Sequence, residues 1–336
     1  MSKKVVIVLG CLILGIVAGF FYLQNKQIPI SGLYRGPIAI GLVDFPGYAA
    51  LILADEKGYF KEAGLDVVLK KYTSLSDQSQ AFLDNSIQGS AVNVFDALLY
   101  SYLEIDHKIV SVIDYSSGVD ALVGRNDIKN ISDLKGKKIA YEVGTLEEFF
   151  LASVLKKESL SLSDIVTFNA NPEEAVVKLK NGEVDVAVTY EPFVSVANSD
   201  PSIHTIISSA EFPGVISDVL TFRSDFVNKY PQTVSRFVEA YFKAQKYLVS
   251  NPVEASEILA KEMNITVTEA TAQLKGVKIL DLETNKAILG SGFNENSYYL
   301  NLEKVNKFIS LNKKDSSIRL NTDKIVDSSF IRVLVQ

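Results

Sequence analysis

Short β-rich runs alternate with longer helical patterns from residue 37 to about residue 209, and that alternation leaves few folds open. "PIAIGLV" (37–43), "DVVLKKY" (66–72), "GSAVNV" (89–94), "KIVSVIDY" (108–115), "DALVGR" (120–125), "KKIAYEV" (137–143), "DVAVTY" (185–190) and "HTIISS" (204–209) read as strands. Between them, residues 49–63, 76–85, 94–104, 147–159 and 171–182 space their apolar side chains at helical intervals. Strands alternating with helices predict an α/β fold whose sheets are rich in parallel pairs and covered on both faces. From about residue 223 the pattern turns helical, with Pro231 and Pro252 opening two helices. No repeat or low-complexity linker separates these parts, which suggests two α/β lobes that exchange chain.

Ahead of this region Lys3 and Lys4 precede Val5 to Leu23, a run without a charged residue. At about 1.5 Å per residue it just spans a hydrocarbon core of about 30 Å, and the flanking lysines place the N-terminus in the cytoplasm and the folded part outside. Residues 1–24 therefore read as a signal peptide or membrane anchor. Cys11 lies in "VLGC", similar to a lipoprotein box, but the apolar stretch before it is short and the stretch after it stays apolar. As the only cysteine, it leaves no intramolecular disulfide, Cys-based metal site or thiol nucleophile for the rest of the chain. The net charge is −6 and no basic block interrupts the sequence, so nucleic acid is not an expected partner.

Four ordered stretches carry a resemblance: "PGYAALILADEKGYFKEAGLDVVL" (46–69), "ISDLKGKKIAYEVGTLEEFFL" (131–151), "LKNGEVDVAVTYEPFVSVA" (179–197) and "FRSDFVNKYPQTVSRFVEAYFKA" (222–244). Together they resemble ABC-transporter substrate-binding proteins of the nitrate/sulfonate/taurine family, which also includes thiamine-pyrimidine synthesis proteins. The resemblance runs from about Gly36 to Phe330. It implies the two-lobed periplasmic binding protein type II fold, with two crossover strands and a solute held between the lobes for a membrane permease. Residues 36–121 with 219–336 would form lobe 1 and residues 122–218 lobe 2.

Polar residues at predicted strand ends are the candidate ligand contacts, because open α/β sheets bind at the carboxyl edge of their strands. They are Asp44 and Tyr48 after the first strand; Asn93 and Asp96 after "SAV"; Ser116 and Asp120 between two strands; Thr145 and Glu147 at a helix start; Glu191; and Asp218. Asp114 closes "VSVID" in the same way. Each alone is also a good turn former or cap. Thr145 with Glu148 has capping-box spacing, which accounts for Glu148 and leaves Glu147 unexplained. Glu191 could cap the helix after Pro192, yet the resemblance implies an aromatic-Glu-Pro beside the cleft.

Collectively these positions are acidic, while Arg35, Arg125 and Arg223 fall beyond the expected cleft. A sulfonate or nitrate calls for Arg, Lys or N–H donors, whereas clustered carboxylates call for a cation. The expected solute is therefore small, polar and amine-bearing or cationic, with Phe45, Tyr48 or Tyr190 available for cation–π contact. His107 and His204 lack metal-pair or triad spacing and read as solvated, and no phosphate-binding loop is present. No cofactor, metal or catalysis is expected, and a pairing of Glu147 with Glu191 for sugar hydrolysis has no accompanying signature. The sequence thus points to an extracytoplasmic solute-binding protein; an extracytoplasmic sensor module of the same fold is the alternative.

Overall fold

The computed structural model describes residues 32–290, 298–312, 320 and 322–334. The expected membrane segment, residues 1–24 with Cys11, lies outside these residues. Among the described residues no helix is long and apolar enough to cross a membrane.

The strands are, in chain order, β1 (Ile38–Val43), β2 (Val67–Tyr72), β3 (Gly89–Asn93), β4 (His107–Ser116), β5 (Asp120–Arg125), β6 (Lys138–Tyr141), β7 (Val166–Asn169), β8 (Val186–Tyr190), β9 (Ile203–Ser208), β10 (Ser217–Arg223) and β11 (Val277–Ile279). They form two sheets, ordered β11-β4-β10-β3-β1-β2 and β7-β6-β8-β5-β9. In the first sheet β1 runs parallel to β2 and β3, as expected of units connected through helices. In the second, β6 is parallel to β7 and β8. Antiparallel pairs enter where the chain changes sheet: β10 lies antiparallel between β3 and β4, and β5 lies antiparallel between β8 and β9. The chain crosses twice, between β4 and β5 and between β9 and β10.

Burial follows position in the sheets. Every residue of β1 is buried because strands flank it on both sides, whereas β2 is an edge strand that exposes Lys70 and Lys71. The 20-residue helix Pro231–Ser250 buries Val234, Phe237, Val238, Tyr241, Ala244 and Leu248, a stripe at helical spacing. It packs that stripe on the helix Ala49–Glu56 and stacks Phe237 on Phe60 at 4.6 Å between ring centroids.

His107 departs from its expected solvated setting. It is 2% exposed, packed edge-on to Tyr100, with its Nδ1 3.1 Å from the Ile105 carbonyl oxygen. Burial pulls its pKa down to about 4, so the ring is neutral near pH 7.

Candidate functional site

The sheet register assembles the site. Antiparallel pairing sets Asp218 on β10 opposite Asp114 on β4 and, on its other side, opposite Asn93 on β3. Three polar side chains thus stand abreast on adjacent strands, at the end where β1, β3 and β4 finish and β10 begins. In the second sheet, Asp120 at the start of β5 pairs with Tyr190 at the end of β8. Glu142 follows the last residue of β6. Both sheets therefore offer their carboxyl edges to the same cleft, where α/β sheets bind ligands.

Local structure fixes each group. Asn93 caps the helix Val94–Tyr102: its Oδ1 accepts the Asp96 N–H at 2.9 Å while its Nδ2 donates to Asp96 Oδ2 at 2.5 Å. Tyr48 is buried and its hydroxyl donates to Asp218 Oδ1 at 3.3 Å. At the crossover, Gly118 N–H donates to Ser209 Oγ at 2.8 Å, Ser209 Oγ lies 2.6 Å from Ser116 Oγ, and Ser116 donates to Asp120. Thr145 donates to the Glu142 carbonyl oxygen at 2.8 Å and to the Glu147 carboxylate. It makes no side-chain cap bond of its own, and Glu148 accepts from Gly144 N–H at 2.9 Å, so the expected Thr145–Glu148 capping box does not form. Gly47 is required here for close approach: a Cβ on it would lie 2.0 Å from Asp114 Oδ2.

Six carboxyl groups are buried at this site: Asp96, Asp114, Asp120, Glu142, Glu147 and Asp218. Burial is the first cause of a raised pKa in every one. It pushes Asp96 up to about 7 and Asp120 up to about 6, against opposing hydrogen bonds from Asn93 and Ser116. Asp114 and Asp218 rise well above the usual carboxylate range, after burial through repulsion between carboxylates of the same group. Glu147 does so beside Glu142. Asp114 is fully buried and shares a hydrogen bond with the Asp218 carboxyl, for which one of the two acids must hold the proton; among the described residues Glu142 Oε2 and Glu147 Oε1 have no hydrogen-bond partner. Among the described residues no group of three or more His, Cys, Asp or Glu side chains is arranged to hold a metal ion.

Two candidate residues stand apart. Asp44 is half-exposed at the mouth and paired with Lys71 at 3.2 Å, an edge-strand neighbour the sequence pattern does not bring to mind. Glu191 accepts from Ser195 N–H at 3.1 Å and Ser195 Oγ–H at 2.9 Å, and Gln273 Nε2 reaches it at 3.3 Å from the helix Val267–Lys275 on the first-sheet side. Glu142 makes a second tie across the cleft, accepting from Ser76 N–H at 3.1 Å. Between the sheets Val43, Phe45, Tyr48, Leu75, Asn93, Asp120, Leu146, Tyr190, Ile216 and Asp218 line a residual cavity of about 20 Å³, room for about one water. Arg125 and Arg223 are used elsewhere: Arg125 donates to the Leu179 carbonyl oxygen and Arg223 to that of Phe82.

Glu142, Ser209 and Gln273 were not among the candidates. Glu142 falls inside the run "KKIAYEV" that reads as strand, whereas β6 stops at Tyr141. Ser209 and Gln273 carry no local signal, since only the crossover and the tertiary packing bring them to the cleft.

The sequence profile described as NMT1/THI5 like matches residues 46–255. A protein of Brucella abortus named as a binding protein is 23% identical over 74% of this chain and 78% of its own. A Saccharomyces cerevisiae protein named 4-amino-5-hydroxymethyl-2-methylpyrimidine phosphate synthase is 24% identical over 62% of this chain and 66% of its own. The alkanesulfonate-binding protein SsuA of Xanthomonas axonopodis pv. citri, solved bound to MOPS, superposes with a TM-score of 0.68 at 16% identity, over 77% of this chain and 93% of that one. The fold is the two-lobed periplasmic binding protein type, with two α/β lobes and two crossovers.

Proposed function

The chain belongs to the NMT1/THI5-like family, and from that premise we propose that it is the solute-binding component of an ABC importer for a small amine-bearing or cationic solute. One observation carries the choice of charge: six buried carboxyl groups converge between the sheets, and among the described residues only neutral donors offset them. Burying an unpaired carboxylate costs several kcal/mol, so such a cleft holds protons until a cation replaces them. A sulfonate or nitrate entering the same space would add negative charge to it.

In this reading, residues 36–121 with 219–336 form one lobe and residues 122–218 the other. They separate to admit the solute and close on it, Glu191–Gln273 and Glu142–Ser76 forming ties at the rim. The protein works outside the cytoplasm, held at the membrane through residues 1–24, and delivers its solute to a permease. It performs no chemical step on the solute. Thermal melting of the chain against amines, guanidines and aminopyrimidines, with methanesulfonate and nitrate alongside, tests the assignment. Melting raised only by cationic members is expected; melting raised only by the anions refutes it.

A further inference from the structure

Three phenylalanine rings meet where helices of the two sheets come together. Phe95 lies in the first turn of the helix Val94–Tyr102, which follows β3 of the first sheet, and Phe149 in the helix Leu146–Lys157, which follows β6 of the second. Their rings stack with centroids 5.7 Å apart and planes 22° from parallel. Phe308, from the helix Tyr298–Asn312, stands edge-on to Phe149 at 4.8 Å and tilted against Phe95 at 6.1 Å. Phe95 and Phe149 are buried and Phe308 is half-buried.

The helix that carries Phe308 is fastened to the first sheet. The Tyr298 hydroxyl lies 2.8 Å from Ser217 Oγ, and Asn301 Nδ2 donates to the same oxygen at 3.2 Å. Ser217 is the first residue of β10, where the chain returns from the second sheet to the first. Further along the helix, Asn306 Oδ1 accepts from the Tyr102 hydroxyl at 2.7 Å. Phe308 is therefore held from the first-sheet side, and its contact with Phe149 crosses to the second.

This contact differs from the others that span the cleft. Glu191–Gln273 and Glu142–Ser76 are polar, and water can take the place of either partner when the lobes part. Phe45 meets Tyr190 at 6.0 Å, but both rings line the cavity, where a solute would come between them. Phe95, Phe149 and Phe308 do not line that cavity, so a solute leaves their contact in place. Parting the lobes bares these rings to water, at a cost that follows the apolar area exposed and is the same with or without solute.

We propose that Phe95, Phe149 and Phe308 form an apolar clasp that biases the lobes toward the joined arrangement before any solute arrives, and that the cleft opens by drawing Phe149 away from Phe308. This rests on the reading of two separating lobes above and adds to it the element that sets their resting balance. A solute that binds the joined form gains apparent affinity in proportion to the fraction already joined.

The test places spin labels on Val177→Cys and Val253→Cys, exposed positions of the two lobes, in the full chain carrying Cys11→Ser, and reads the distance between them by pulsed electron resonance without solute. Phe308→Ala and Phe149→Ala are made alone and together with Gln273→Ala, which removes a rim tie and populates the parted form. Each alanine variant is expected to lower the ratio of joined to parted protein roughly tenfold, the worth of an edge-to-face ring pair with its buried area. Phe308→Leu, which keeps an apolar contact and a folded helix, is expected to lower it less, and circular dichroism shows that each variant is folded. Distances lengthened by Gln273→Ala, with nothing added by the phenylalanine variants, overturn the clasp and leave the lobe motion standing. Distances unchanged in every variant, alone and combined, overturn the lobe motion as well.

Discussion

Asp96→Asn should make the ligand-free protein more stable, and only above acid pH. Asp96 is 2% exposed and burial raises its carboxyl from an ordinary 3.8 to about 7. Well below pH 3.8 the group is protonated in the folded and unfolded chain alike and costs nothing. As the pH rises the unfolded chain releases the proton near 3.8 while the folded one keeps it to about 7, so a penalty grows through that window and is constant above it. Each tenfold change in proton affinity is worth about 1.4 kcal/mol, so a roughly thousandfold change costs about 4 kcal/mol above neutral pH. Asparagine keeps an acceptor for Asn93 Nδ2 and the backbone bond to Asn93 Oδ1, so the helix cap survives. Urea unfolding of both proteins at pH 4 and pH 8 reads the effect. We expect a gain of about 4 kcal/mol at pH 8, only a small part of it at pH 4, and a flatter pH profile between. Equal destabilisation at both pH values would refute the reasoning, because it would make Asp96 a structural partner and not a buried charge.

Glu191→Ala should lower stability by about 1 kcal/mol through loss of the bonds from Ser195, while Glu191→Gln, which keeps an acceptor, should cost much less in the same melting experiment. Gly47→Ala places a Cβ 2.0 Å from Asp114 Oδ2 and should cost about 1–3 kcal/mol, read by denaturant unfolding; an unchanged midpoint would show that the turn can retreat from Asp114. The imidazole of His107 should titrate by NMR with a midpoint near 4, and a midpoint near 6.5 would contradict its burial.

The fold was legible because its strands and helices alternate with distinct periods, and the candidate acids because strand ends are also the edge where such sheets bind. What escaped was long-range. The sequence "SDVLTFR" does not announce that β10 will lie between β3 and β4, yet that register makes Asp218 the neighbour of both Asp114 and Asn93. Asp44 looks equivalent to the other acids until edge strand β2 brings Lys71 to it. His107 sits in the polar stretch "EIDHK", and the aromatic rings that bury it come from Phe82 and Tyr100, distant in sequence from one another. Glu191 shows that a cap and a cleft residue are compatible, since the same carboxylate receives Ser195 and Gln273.

The central claim is that the cleft trades protons for positive charge, and calorimetry of amine binding in buffers of different ionisation enthalpy measures that trade directly. With Asp96 near 7, Asp120 near 6 and the other carboxyls raised, a bound cation at pH 7 should release about one proton or more per site as the carboxyls ionise around it. Proton uptake on binding, or tight binding of an anionic solute without any amine competing, would contradict the account.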